Sequence, residues 1–239
     1  MKKYIQKVYE EVWAYLFPLF CVVCKHEGGL LCGRCQKDID LNAVFACPYC
    51  HKTTRAGEIC PACISHTTGL SQVVSFTKYQ EHTAMDKLLH AYKYAYQESV
   101  LLLYRQLFTD FFARFPELYA GVDYLVPIPL HRRRFAERGF NQSVGIAKEL
   151  GAVRNMPMHD MLCRKRYTNQ QALLSQQERQ ENMQDAFALL PKKEALIYGK
   201  RILLVDDVYT TGATMQSAAA VLKSAGAKEV CGFTILRSI

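Results

Sequence analysis

The stretch Ile202-Leu203-Leu204-Val205-Asp206-Asp207-Val208-Tyr209-Thr210-Thr211-Gly212-Ala213-Thr214 decides how this chain is read. Ile202 to Val205 is an aliphatic, partly β-branched run that predicts a buried strand. Two carboxylates follow at once, then a turn of small residues from Thr210 to Thr214, then a helical pattern from Met215 to Ser224. A strand that ends in such a turn and opens a helix presents backbone N–H groups without intrahelical partners, and an anion binds there favourably. The hydroxyls of Thr210, Thr211 and Thr214 add donors, and Gly212 lets the backbone close on a ligand. The adjacent carboxylates call for hydroxyls or a cation. One ligand meets both demands: a sugar phosphate, with its phosphate in the turn and its ribose hydroxyls on the Asp pair.

Other phosphate-binding patterns fit less well. A Walker A loop ends in Gly-Lys-Ser/Thr, and no Lys is present in this turn. A dinucleotide fingerprint needs three spaced glycines, where only Gly212 is available. The acidic pocket of a receiver domain opens its domain, with a phosphorylated Asp still to come, and the sequence from Asp207 to Ile239 is too short for one. A ligand-free capped turn needs one Asp or Thr rather than this cluster.

The motif resembles the ribose-5-phosphate-binding loop of type I phosphoribosyltransferases: a hydrophobic strand, two acidic residues and a Thr-Thr-Gly-x-Thr turn. By that resemblance Asp206 and Asp207 would hold the ribose 2′ and 3′ hydroxyls. Thr210, Thr211, Gly212, Ala213 and Thr214 would wrap the 5′-phosphate of phosphoribosyl pyrophosphate (PRPP), which such proteins bind with magnesium.

A second signal lies near the N-terminus. Cys21/Cys24, Cys32/Cys35, Cys47/Cys50 and Cys60/Cys63 are four CxxC pairs. A CxxC turn aims two sulfurs at one point, and two turns complete a tetrahedral four-sulfur site, so two structural zinc sites are expected. Disulfides would suit a secreted chain, and a redox CxxC needs only one pair. Sequential pairing (the first two CxxC pairs on one ion, the last two on the other) closes shorter loops than crossed pairing. The entropic preference is only about 1.5 kcal/mol or less, so both pairings stay open. Of the other cysteines, Cys163 and Cys231, the latter sits in the apolar run Val230 to Leu236 and reads as core.

The chain has 239 residues, half of them hydrophobic, enough for an ordinary domain plus a small module. The expected division is an N-terminal helix with a double zinc ribbon over 1–67 and an α/β domain over 68–239. The formal charge of +8 falls by four, to about +4, once eight thiolates hold two zinc ions. That balance suits an anionic ligand or nucleic acid. No apolar run reaches the roughly 18 residues of a membrane span, and no signal-peptide cleavage site is visible, so a cytoplasmic protein is expected. Ile5, Val8, Val12, Leu16 and Leu19 recur at helical spacing. They predict an amphipathic helix that packs on the zinc module, with peripheral contact at the inner face of the membrane as its other reading.

From Gly69 onward strands alternate with helices: a strand at Val73 to Phe76, a long helical pattern from Met85 to Phe112 and a strand at Tyr124 to Ile128. Helices near Asn141 to Leu150 and Gln176 to Asn182 follow, and after the strand–turn–helix comes a last strand at Val230 to Leu236. This alternation predicts an α/β fold with a mostly parallel sheet, whose ligands sit at the carboxyl ends of its strands. Two stretches join the Asp pair as site candidates. His131, Arg132, Arg133, Arg134 and Arg138 leave the end of a predicted strand as a basic loop, suited to a pyrophosphate or a DNA backbone. Arg164, Arg166, Tyr167, Gln171 and Arg179 form a basic, polar segment expected to act as a lid or a DNA contact, as does Lys93 between Tyr92 and Tyr94.

These pieces together closely resemble the ComF family of competence proteins, which join an N-terminal cysteine ribbon to a phosphoribosyltransferase-like domain. The resemblance runs from Cys21 to Ile239 and rests on the CxxC pairs, Tyr92-Lys93-Tyr94, the segment from Val126 to Ser143, the segment from Arg164 to Phe187, and the terminal turn. It implies a protein of natural transformation that binds PRPP and single-stranded DNA and helps that strand enter the cytoplasm, beside a helicase-like partner and a membrane DNA channel. The alternative is an active phosphoribosyltransferase with an unknown nitrogen acceptor, and a third reading is a PRPP-sensing regulator. A full amidotransferase is not expected, since no glutaminase domain or N-terminal nucleophilic Cys is present.

Overall fold

The computed structural model describes residues 18–66, 69–95, 99–165 and 186–238. By packing, the chain divides into two compact units, residues 1–40 with 80–100 and residues 41–79 with 101–239. The expected boundary near residue 67 follows the sequence; the packing units interleave along it.

The first unit holds the first two CxxC pairs, a short helix α1 (Gly33–Lys37) and helix α2 (Ala84–Ala95). Thr83 opens α2: its Oγ1 accepts from the Asp86 amide, while the Asp86 carboxylate accepts from the His82 amide. Such reciprocal bonds satisfy the donors a helix start leaves over. Met85, Leu88, Leu89 and Tyr92 recur at helical spacing and are buried. Lys87 Nζ donates to the Val23 carbonyl beside the first cysteine turn.

The second unit is built on a five-stranded sheet, β1 (Val44–Phe45), β2 (Leu70–Lys78), β3 (Tyr124–Pro127), β6 (Arg201–Tyr209) and β7 (Glu229–Arg237), in the order β1-β2-β7-β6-β3. β1 runs antiparallel to β2 and every other pairing is parallel. β4 (Leu162–Arg164) and β5 (Phe187–Leu189) form a separate antiparallel pair. Helices α3 (Ser99–Arg114), α4 (Arg132–Arg138), α5 (Gln142–Arg154), α6 (Glu194–Ile197) and α7 (Ala213–Ser224) complete it. Both faces of the sheet are covered, which is why β6 and β7 read as nearly continuous apolar runs. On one face α7 brings Ala218, Ala219 and Leu222 against Ile202, Leu204 and Val230. On the other, Phe233 of β7 meets the rings of Phe108 and Phe111 of α3 at 5.6 and 6.0 Å. α5 lies on this second face, since a Cβ on its Gly151 would stand 3.1 Å from a Leu125 methyl, and Arg154 covers the Phe112 ring.

Several expectations need correction. β6 does not stop at Val205 but continues to Tyr209, so the Asp pair belongs to the strand; Val208 and Tyr209 are good strand formers. β2 spans Leu70–Lys78 rather than Val73 to Phe76 alone. The pattern from Met85 to Phe112 belongs to two helices, α2 and α3. The arginine stretch is a helix, not a loop: the His131 ring accepts from the Arg133 amide to open α4, and Gly139, at φ 81°, closes it in the left-handed region. Two turns of helix are too short to show apolar periodicity. The N-terminal amphipathic helix and the helix near Gln176 to Asn182 lie outside the described residues.

Candidate functional site

Asp206 and Asp207 sit at the carboxyl end of β6, and successive strand residues point to opposite faces. The first turn of α5 reaches both. Asn141 caps α5 by accepting from the Ser143 amide and is itself fastened to the strand end by Nδ2 donating to the Ile128 carbonyl. That fixes the next two residues, Gln142 and Ser143. Ser143 Oγ donates to Asp206 Oδ1 at 3.0 Å, and Gln142 Nε2 donates to Asp207 Oδ2 at 3.0 Å. The Asp207 amide also donates to Asp206 Oδ1. Arg138 Nη1 donates to Gln142 Oε1 at 2.7 Å, so an arginine of α4 is tied through one amide side chain to Asp207.

The turn after β6 begins with Thr210, which is exposed, and Thr211 and Thr214, which are half-buried. Gly212 occupies the N-cap position of α7 at φ 80°, in the left-handed region. A Cβ there would stand 2.1 Å from the Tyr209 hydroxyl oxygen, so both backbone and space demand glycine. Thr211 Oγ1 accepts from the Ala213 amide, and the Gln216 amide closes the first helical turn on the Gly212 carbonyl. The sequence-predicted phosphate residues thus share one turn at a helix N-terminus, separated from the carboxylates by Val208 and Tyr209. Gly212→Ala is expected to cost about 2 kcal/mol in backbone strain alone. In a domain of this size that lowers the melting temperature by about 4–8 °C. An unchanged melting temperature in a thermal scan would contradict the packing described here.

Arg164, at the end of β4, stacks on the Phe187 ring at 5.4 Å. Burial pushes its guanidinium below the usual value; the Asp206 carboxylate opposes that shift and Arg134 adds to it. Arg164 thus lies within electrostatic range of both Asp206 and Arg134. Arg132 and Arg133 are exposed on α4, with Arg133 paired to Glu137, and His131 is spent on the cap. Lys93 lies on α2, in the other compact unit. Arg166, Tyr167, Gln171 and Arg179 lie outside the described residues. The sequence reading missed Phe135, half-exposed among the α4 arginines, and gave no role to the anchors Gln142 and Ser143. A lone Phe inside a basic heptad was the available signal for the first.

The cysteines form two clusters, Cys21/Cys24/Cys32/Cys35 and Cys47/Cys50/Cys60/Cys63, each with its sulfurs within 4.8 Å of one another. The pairing is therefore sequential. Cys24 and Cys32 sulfurs are 3.6 Å apart, and Cys50 and Cys60 sulfurs 3.5 Å. Those distances are too long for a disulfide, at about 2.05 Å. They are near the roughly 3.8 Å edge of a tetrahedron with metal–sulfur bonds of about 2.3 Å. Burial resists ionisation of Cys47, but amides directed at its sulfur prevail and hold its pKa at about 6. Burial and the crowding of neighbouring sulfurs push Cys63 up to about 12. Cys21 and Cys35 repeat this contrast in the first cluster, at about 6 and about 12. Four thiolates converging on one point need a cation between them, so the donor sets fit a metal ion held by sulfur.

A family model described as the phosphoribosyl transferase domain matches residues 136–237, which take in the α5 anchors, the Asp pair and the turn. Competence protein ComFC of Streptococcus pneumoniae is 29% identical over 90% of this chain and 91% of its own length. DNA utilization protein YhgH of Escherichia coli K12 is 27% identical over 87% of this chain and 97% of its own. Among solved structures, the glutamine PRPP amidotransferase of B. subtilis is 20% identical over 56% of this chain, with a TM-score of 0.37, and this chain spans 26% of that enzyme.

Proposed function

We propose, for a chain related to the ComF-type competence proteins along nine-tenths of its length, that it binds PRPP with magnesium and single-stranded DNA and serves DNA uptake in natural transformation. The observation that carries the first half is the pair of carboxylates anchored by Ser143 and Gln142 directly before a Gly212-opened helix N-terminus. Ser143 Oγ and the Asp207 amide hold Asp206, and Gln142 holds Asp207, so both carboxylates are positioned at the strand end. The ribose 2′ and 3′ hydroxyls would donate to them. The 5′-phosphate would take the amides and hydroxyls of Thr210 to Thr214, where helix dipole and donors act together. Arg134 and Arg164 would face the pyrophosphate, and magnesium would neutralise part of its charge. Calorimetric titration with PRPP and magnesium tests this reading; absence of binding at millimolar ligand would end it.

The two cysteine clusters would each hold a structural zinc ion, with all four ligand positions filled by thiolate and none left for catalysis. Metal analysis is expected to find two zinc ions per chain.

For single-stranded DNA the supporting feature is α4, where exposed Arg132 and Arg133 stand within the same two helical turns as a half-exposed Phe135. Arginines neutralise phosphates while an aromatic ring stacks a base, a combination that binds single strands with little sequence preference. Phe135→Ala is expected to weaken binding to a labelled oligonucleotide about ten-fold and leave its salt dependence unchanged, since no charge is removed. Arg132→Ala is expected to reduce the slope of log affinity against log salt by about 0.7. Equal affinities and slopes for all three proteins would remove α4 from the DNA surface. A helicase-like partner and a membrane channel would receive or deliver the strand, with the protein working at the cytoplasmic side. Among the described residues no helix is long and apolar enough to cross a membrane.

The second reading, transfer of ribose 5-phosphate from PRPP to a nitrogen acceptor, is favoured by the match to the phosphoribosyl transferase model. Pyrophosphate release in the presence of a panel of bases separates it from binding without turnover.

A further inference from the structure

Tyr209, the last residue of β6, is buried beneath the phosphate turn, and its hydroxyl donates to the Pro48 carbonyl at 2.7 Å. Gln216, in the first turn of α7, donates its Nε2 to the same carbonyl at 2.9 Å. Pro48 lies inside the turn Cys47-Pro48-Tyr49-Cys50 of the second cysteine cluster. One carbonyl of that turn is therefore held by two side chains that bracket Gly212, whose Cα packs against the Tyr209 hydroxyl.

Arg237 completes the connection. It pairs with Tyr209 across the β6–β7 ladder, stacks on its ring at 4.5 Å and is wholly buried. Its guanidinium donates to the carbonyls of Ala46 at 3.2 Å and Cys47 at 2.9 Å, and lies 3.2 Å from His51 Nδ1. Among the described residues it takes part in no carboxylate ion pair. A buried guanidinium without a counter-charge is costly. A divalent ion held by four thiolates carries a net charge of about −2 and lies against the same peptide groups, so the loaded cluster supplies the missing charge. All these residues belong to one compact unit.

We propose that the metal-loaded Cys47/Cys50/Cys60/Cys63 cluster sets the conformation of the phosphate-binding turn through Pro48, Tyr209, Gln216 and Arg237, so that metal retention and sugar-phosphate affinity are linked. The linkage rests on the sugar-phosphate reading of the turn. If loading the metal favours the ligand-competent turn, the ligand must tighten the metal by the same factor. Such couplings are commonly about 5- to 150-fold.

The test uses the full chain loaded with two zinc ions, with release to a chromogenic chelator followed in time. The phase belonging to the second cluster is the one lost in Cys60→Ser. Saturating ribose 5-phosphate is expected to slow that phase about ten-fold and to leave the phase of the first cluster unchanged. Tyr209→Phe with Gln216→Leu removes both donors to Pro48 while keeping the ring under Gly212. In that variant the protection is expected to shrink below two-fold while calorimetry still registers binding. Wild-type protein that binds ribose 5-phosphate by calorimetry yet releases zinc at unchanged rates overturns the linkage and leaves the site standing. If no heat of binding is found, the site and the linkage fall together.

Discussion

Asp206→Asn with Asp207→Asn is expected to weaken ribose 5-phosphate binding about 100-fold or more. Each substitution keeps the shape of the side chain and exchanges a charged acceptor for a neutral one. A hydrogen bond to a charged group contributes about 1.5–3 kcal/mol. Two ribose hydroxyls on two carboxylates therefore account for a total of roughly 3–6 kcal/mol. Part of that would be lost with the charge and the rest through geometry, because an amide offers one oxygen where a carboxylate offers two. The anchors sharpen the expectation: Gln142 can still donate to the amide oxygen introduced at position 207, and Ser143 to the one at position 206. The local fold is thus retained while the ligand contacts are not. The measurement is a calorimetric titration of both proteins under one buffer, with circular dichroism to show that they share a fold. Equal affinities would mean that the carboxylates serve the strand end and not a sugar.

Cys47→Ser is expected to remove one of two metal ions per chain and to lower the melting temperature by about 10 °C. Its sulfur is one of four donors to the second cluster, and its carbonyl accepts from Arg237. Without the ion, Arg237 stays buried and loses its charge partner. Breaking a buried ion pair from one side costs about 3–5 kcal/mol, which in a domain of this size corresponds to about 10 °C. Cys24→Ser, in the first cluster, should also release one ion. Metal analysis with thermal scanning decides the matter: two ions retained, or an unaltered melting temperature, would contradict the assignment of the cluster and of its charge partner.

The parts of this molecule that could be read from sequence are those written in short windows. The strand, Asp pair, glycine turn and helix from Ile202 to Ser224 form one contiguous unit, and each CxxC pair spans a single turn. Burial patterning and turn chemistry act within such windows, so the fold class, the glycine turn that opens a helix and the sulfur clusters were legible there. What was not legible depends on contacts between distant residues. Gln142 and Asp207 are 65 positions apart, Ser143 and Asp206 are 63 apart, and Tyr209 reaches back 161 residues to Pro48. No periodicity encodes such pairings. Arg237 did carry a signal, as the charge that ends the apolar strand after Leu236, but charge at a strand end ordinarily reads as exposed. Only the packing of the second cysteine cluster against β6 and β7 shows it to be wholly buried.

The most direct test of the site is a crystal structure of the full chain grown with saturating ribose 5-phosphate. The account predicts phosphate density within hydrogen-bonding distance of the amides from Gly212 to Thr214, and ribose hydroxyls on the carboxylates of Asp206 and Asp207. An empty turn at saturating ligand, with Ser143 and Gln142 still closed on those carboxylates and the sugar bound elsewhere or nowhere, would contradict it.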